Sequence, residues 1–297
     1  MVKTKIAVFG EISGGSVYLV NKAIEKYLAE DFEFRYINWH AWSLQDLSEI
    51  YEWCDVFFSC LSAHDMILNS TKGLGPEKPI LLITHDPNEH TVVQEYSKRF
   101  SYAQTCLCDR SLFPKDTIVH LMMNGVDSDN FSYKPRDGTL KQMGWVGRLA
   151  CEIKQPEWAK LISLVSRVPL VIRDGAQPVK PVSYMREWYQ SVDLLIVTAV
   201  PEWTSETGPL PPFEAIVSGI PAIGTPVGNF RDVPGPKFTT IDEAVTIVKE
   251  LCDNPETMKA LALEQYRYVL THNTYAILAD SWRAGFNAAL TRSSFQN

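Results

Sequence analysis

Short continuous apolar runs alternate along this chain with segments whose apolar positions recur at helical spacing. TKIAVF at 4–9 predicts a buried strand. GEISGG follows at 10–15, and behind it Val17, Val20, Ala23, Ile24, Tyr27 and Leu28 fall on one side of a helix. Strand, glycine-rich turn and helix form the opening unit of a doubly wound α/β domain. FEFRYINW (32–39), DVFFSCL (55–61) and KPILLITHD (78–86) predict further strands, and LQDLSEIYEW (44–53) a helix. Residues 90–103 carry a helical pattern, and QTCLCD (104–109) and TIVHLMM (117–123) predict two more strands. Continuous apolar strands between helices suit a parallel sheet covered on both faces.

YKPRDGTLK (133–141) is polar and irregular and marks a boundary. A second α/β pattern begins at QMGWVGRLA (142–150). It continues through a helix at 158–168, strands in PLVIRDG (169–175) and VDLLIVTA (192–199), a helix at 211–219 and a strand in IPAIGTP (220–226). The pattern predicts an N-terminal Rossmann-like domain over 1–128 and a C-terminal one over 129–273. They would face one another across a cleft, with a ligand at the C-terminal ends of the strands. In the last helix, 274–290, Ile277, Leu278, Trp282, Phe286, Ala289 and Leu290 form one stripe. A stripe this large must be buried, and residues 274–297 are expected to cross back to the first domain.

Composition narrows the function classes. The chain is 45% hydrophobic with a formal net charge of -7, most of the acidic excess lying in residues 1–128. No basic arm is present, which argues against non-specific nucleic-acid binding. There is no export signal and no spanning run of apolar residues, so a cytoplasmic protein, at most peripheral to a membrane, is expected. The six cysteines, at 54, 60, 106, 108, 151 and 252, give no disulfide or metal spacing.

Candidate chemistry lies at strand ends. GEISGG is not GxGxxG, and no acid ends the second strand, so a nicotinamide dinucleotide site is not supported. Gly14 and Gly15 are either a tight turn or a cleft edge meeting an anionic or hydroxyl-rich ligand. Arg148 ends the strand of WVGRL, and Lys154 follows; two cations at such a mouth can clamp a diphosphate. On its own, that pair is also what ordinary surface cations look like. After VDLLIVTA comes ETGPLPPFE, with Glu206 and Glu214 spanning Gly208, Pro209 and Leu210. Glu214 is expected in the first turn of a helix, ionised there by the dipole and able to accept two ribose hydroxyls. Glu206 could reach a sugar. The glycine-containing loop Thr225–Asn229 is a further candidate to approach a donor.

These features together resemble the retaining GT-B glycosyltransferases of the GT4 type (glycosyl transferases group 1), in a short form. The resemblance rests on NGVD…F (124–131), VGRL (146–149) with Lys154, the E-x7-E block 206–214, AIVSGIPAIGTPVGN and EAVTIVKELCDNPE. It is good over residues 117–260 and reaches the first half only in outline. It implies a metal-independent transfer from a UDP-, GDP- or ADP-sugar to an acceptor hydroxyl, with no cofactor. By the resemblance, Arg148 and Lys154 hold the diphosphate, Glu214 the ribose, and Glu206 the transferred sugar. Gly208, Pro209 and Leu210 line the donor, and a donor-contacting histidine matches His85 at the end of KPILLITHD. His85 reads equally well as a structural histidine, and His64 has a weaker claim.

This chain departs from the family where Lys154-Gln155 replaces Lys-Gly and Gly208-Pro209 replaces aromatic-Gly. Neither change removes a charge. Asp127 and Asp129 have DxD spacing but sit in a turn, not at a strand end. The alternative reading is a non-catalytic nucleotide-sugar binding or scaffold protein of the same fold. That reading expects loss of Arg148, Lys154, Glu206 or Glu214, all of which are present. The acceptor is not legible, and charge alone leaves a modified nucleic-acid base open.

Overall fold

The computed structural model describes residues 2–10, 16–38, 41–60, 64–75, 78–84, 101–104, 119–175, 182–200 and 208–293. The chain divides into two compact units, Met1–Met123 with Leu278–Asn297, and Asn124–Ile277.

In the first unit, β1 (Thr4–Gly10), β2 (Phe32–Asn38), β3 (Val56–Cys60), β4 (Ile80–Thr84), β5 (Ser101–Gln104) and β6 (Val119–Leu121) form one sheet. Its order is β2-β1-β3-β4-β5-β6, parallel throughout. The helices are α1 (Ser16–Leu28), α2 (Leu44–Trp53) and α3 (His64–Thr71). A reciprocal Ser43–Asp46 capping box starts α2. Two sequence expectations change. Ser101–Gln104 is strand, not the end of a helix, because its backbone pairs with β4 and β6. The helix α3 was not expected, since its Asn, Ser and Thr residues blur the apolar period.

The second unit holds β7 (Met143–Gly147), β8 (Leu170–Asp174), β9 (Leu194–Val197) and β10 (Ala222–Gly224), in the parallel order β10-β9-β7-β8. Its helices are α4 (Pro156–Ser166), α5 (Val182–Gln190), α6 (Leu210–Val217), α7 (Ile241–Asp253) and α8 (Pro255–His272). Met143, Trp145, Leu194 and Ile196 join Ala159 and Ile162 of α4 and Val245 and Val248 of α7 in one core. Leu195 and Ala222 join Tyr189, Phe213, Ile216 and Val269 in another. The sheet is therefore buried on both faces, as continuous apolar strands require.

Val126 belongs to this second unit. Its amide donates to Asn273 O (2.8 Å), and its carbonyl accepts from Tyr275 N (3.1 Å).

The last helix, α9 (Tyr275–Ser293), buries Tyr275, Leu278, Trp282, Phe286 and Ala289. Ile277 is 53% exposed and lies outside the buried stripe it was expected to join. From Leu278 onward, α9 belongs to the first unit. Phe286 packs on Phe58 (5.2 Å between ring centroids), Phe32 (5.4 Å) and Phe34 (5.9 Å). Trp282 Nε1 donates to Met123 O at 3.1 Å, and Arg283 Nε donates to Asp31 at 2.7 Å.

Candidate functional site

β7 ends at Gly147, and the next residue is Arg148. The β7 and β8 ends are stitched together: Gly175 N donates to Gly147 O (2.7 Å), and Leu149 N to Asp174 Oδ1 (3.2 Å). A Cβ on Gly147 would come within 2.8 Å of the Trp145 ring, so the ring's course along the strand requires glycine there.

After Arg148 the chain turns through Cys151, whose amide donates to Arg148 O at 3.0 Å. It then forms a single 3-10 turn, Glu152–Lys154. Gln155 follows in the left-handed region (φ 41, ψ 59), and Pro156 opens α4. Arg148 is exposed and Lys154 half-buried. Lys154 lines a recess open to solvent, about 330 Å³ counted with its mouth, together with Trp145, Thr198, Pro209, Pro211 and Pro212. Burial pushes the Lys154 ammonium down to about 8; Cys151 beside it works the other way, and Arg148 adds to the depression. Arg148 and Lys154 are thus close enough to feel one another, and both carry charge to this end of the sheet.

Glu214 lies on α6, but not in its first turn. The helix begins at Leu210 on the Pro209 cap, so Pro211 and Pro212 are already inside it and the first turn holds no acid. The expectation of a dipole-stabilised carboxylate fails for that reason. Instead, burial pushes the Glu214 carboxyl above its ordinary value, and a hydrogen bond from the Tyr189 hydroxyl (2.7 Å to Oε2) pulls the other way. Gly208 sits against Asn124: a Cβ there would lie 3.0 Å from Asn124 Nδ2. Asn229 Nδ2 donates to Asn124 O at 2.9 Å, joining the NGVD turn to the Thr225–Asn229 loop. Asp127 caps the 3-10 turn Ser128–Asn130, accepting from Asp129 N.

The structure therefore brings Lys154, Pro209 and the approach to α6 to one recess. Glu206, Gly14, Gly15 and His85 lie outside the described residues. Two residues were missed in the sequence. Tyr189, fully buried, orients Glu214. Thr198, 1% exposed, accepts from Trp145 Nε1 and meets the carbonyls of Lys154 and Gln155, each at 2.9 Å. A threonine ending an apolar strand was the only signal of the second.

No family model matches the chain, and no curated protein matches it by sequence. Solved structures do match it in fold. Sucrose-phosphate synthase from Thermosynechococcus elongatus aligns over 96% of this chain and 100% of its own, with a TM-score of 0.71 and 13% identity. An α-glucosyltransferase in complex with UDP and a 13-mer DNA containing an HMU base aligns over 98% and 100%, with a TM-score of 0.69 and 10% identity. The fold is GT-B. HepE from Anabaena, in complex with UDP-glucose, extends the set of similar GT-B structures at a TM-score of 0.66, 13% identity and coverage of 96% and 99%. In this GT-B chain, Arg148, Lys154 and Glu214 all belong to the second unit.

Proposed function

We propose that the chain is a retaining glycosyltransferase that moves a sugar from a nucleoside-diphosphate sugar to an acceptor hydroxyl without a metal ion. The observation that carries this reading is the paired cations Arg148 and Lys154 at the β7 end, Lys154 lining the recess beside the α6 start. The similar structures holding UDP or UDP-glucose support a nucleotide-sugar donor.

In this reading Arg148 and Lys154 hold the diphosphate. Their charge stabilises the negative charge that builds as the bond from the anomeric carbon to the phosphate oxygen breaks. The electron pair leaves with the diphosphate. The acceptor hydroxyl then attacks from the same face and gives its proton to the departing phosphate oxygen. Glu214 accepts from the ribose hydroxyls, with Gly208, Pro209 and Leu210 beside it. By the family resemblance, Glu206 is assigned to the transferred sugar, and Gly14, Gly15 and His85 to the donor. The alternative, a non-catalytic nucleotide-sugar binder, would use the same recess and the same cations to hold a diphosphate; turnover of the donor separates the two.

Among the described residues no helix is long and apolar enough to cross a membrane. We place the reaction in the cytoplasm, at most at a membrane surface, with Cys54, Cys151 and Cys252 as free thiols. A panel of UDP-, GDP- and ADP-sugars, scored for nucleotide release and for a rise in Tm, tests the reading. Release or stabilisation by at least one is expected; no response to any of them overturns it.

A further inference from the structure

Thr198 stands directly beyond β9, where the strand's apolar run ends, and it is almost completely buried. Its single hydroxyl does three things. It accepts from Trp145 Nε1 at 2.9 Å. It also offers its one proton to two carbonyls, Lys154 O and Gln155 O, both at 2.9 Å. Two residues further on, Val200 N donates to Ile153 O at 3.0 Å. The chain leaving β9 therefore grips three consecutive residues, 153–155, of the loop that presents Lys154.

That grip has a conformational reason. Gln155 is held at φ 41, a region that costs a residue with a Cβ about 1–2 kcal/mol. Such a conformation persists only where its surroundings over-determine it. The left-handed step lets α4 begin at Pro156 while the Lys154 side chain stays in the recess. Without Thr198, two carbonyls and a buried indole N–H would lose their shared partner. Trp145, in turn, lies along β7 toward Gly147, the residue before Arg148. One hydroxyl thus connects the strand that leads to Arg148 with the loop that carries Lys154.

We propose that Thr198 is a positioning residue for the diphosphate clamp, fixing the Lys154 loop against the strand that leads to Arg148. The inference rests on the glycosyltransferase reading above. Thr198 also lines the recess, and the role proposed for it runs through the backbone of Lys154 and Gln155. Small displacements of a charge-stabilising group carry large kinetic penalties, because its benefit depends on where the charge develops.

The test compares wild type with Thr198→Val, Thr198→Ser and Val248→Ala. The valine keeps the shape and removes the hydroxyl, whereas the serine keeps the hydroxyl. Val248, on the buried face of α7 in the same core as Trp145, supplies a loss of stability that leaves the Thr198 hydroxyl and its partners in place. Binding of UDP, GDP and ADP is measured by calorimetry, and kcat and KM with the matching nucleotide-glucose by nucleotide release. Thr198→Val is expected to lower kcat by about tenfold or more, to weaken nucleotide binding, and to be rescued by serine. Val248→Ala is expected to lower Tm and leave kcat near wild type. Wild type that binds while Thr198→Val binds and turns over equally well overturns the positioning role alone. A loss in Thr198→Val matched by Val248→Ala at equal Tm does the same. Wild type that takes none of the three nucleotides overturns the transferase reading and this role with it.

Discussion

The Tyr189 hydroxyl donates to Glu214 Oε2 at 2.7 Å inside the second unit. Both groups are displaced by that environment. Burial raises the Tyr189 phenol well above its ordinary value, and Glu214 adds to it. Burial also raises Glu214, against the pull of the tyrosine. The phenol therefore stays a donor at every working pH, and its hydrogen bond favours the ionised form of the carboxyl against the burial that disfavours it. Tyr189→Phe removes that support, so Glu214 will hold its proton to a higher pH. An ionised carboxylate accepts ribose hydroxyls on both oxygens and more strongly than the acid does, so the variant should lose nucleotide affinity at a higher pH than wild type as the solution is acidified. Calorimetric titrations across the mildly acidic range will show this; superimposable profiles would mean that Glu214 does not face the nucleotide.

Lys154 sets the opposite limb. Its ammonium is held down to about 8, so it is charged below that pH and neutral above it. Affinity for a nucleoside diphosphate should fall as pH rises through about 8. Lys154→Arg, which stays charged, should flatten that fall. Unaltered pH dependence in the arginine variant would remove Lys154 from the clamp.

Gln155 makes a prediction about stability. Its backbone is left-handed, and its side-chain Oε1 is buried with no partner among the described residues. Glycine removes both penalties at the cost of extra freedom in the unfolded chain. Gln155→Gly should stabilise the protein by about 0.5–1 kcal/mol, read from chemical denaturation. A marked loss would show that the side chain makes a contact of its own.

Phe286 is fully buried among Phe32, Phe34 and Phe58. Phe286→Ala should cost about 3–5 kcal/mol, as large-to-small changes of buried aromatics do. The half-exposed Arg283–Asp31 pair beside it should contribute under about 1 kcal/mol, screened by salt. Hydrogen exchange should place the Phe286→Ala loss in β1 to β3. Loss confined to residues 124–277 would contradict the packing.

The parallel sheets were legible because their strands are continuous apolar runs, VDLLIVTA above all. What was lost has local causes. In α3 the polar HDMILNST carries little apolar period, and Ser101–Gln104 becomes strand only through pairing with β4 and β6. In the recess, Lys154 and the prolines that open α6 are legible by residue type. The buried pairs are not: Tyr189 meets Glu214 across 25 residues, and Trp145 meets Thr198 across 53. No period or spacing links such pairs, and only the fold brings them together. Glu214 falls just past the first turn because α6 begins at Leu210, one residue ahead of the double proline.

The central claim is that Arg148 and Lys154 neutralise a sugar-nucleotide diphosphate in place of a metal. Its most direct test is nucleotide release from the donor that wild type prefers, measured for wild type, Arg148→Ala and Lys154→Ala, each with and without a chelator. Each substitution should cost about 100-fold in kcat, since losing one such donor commonly costs roughly 3 kcal/mol, and chelator should change nothing. Activity that survives both substitutions, or that vanishes with chelator and returns with a divalent ion, would contradict it.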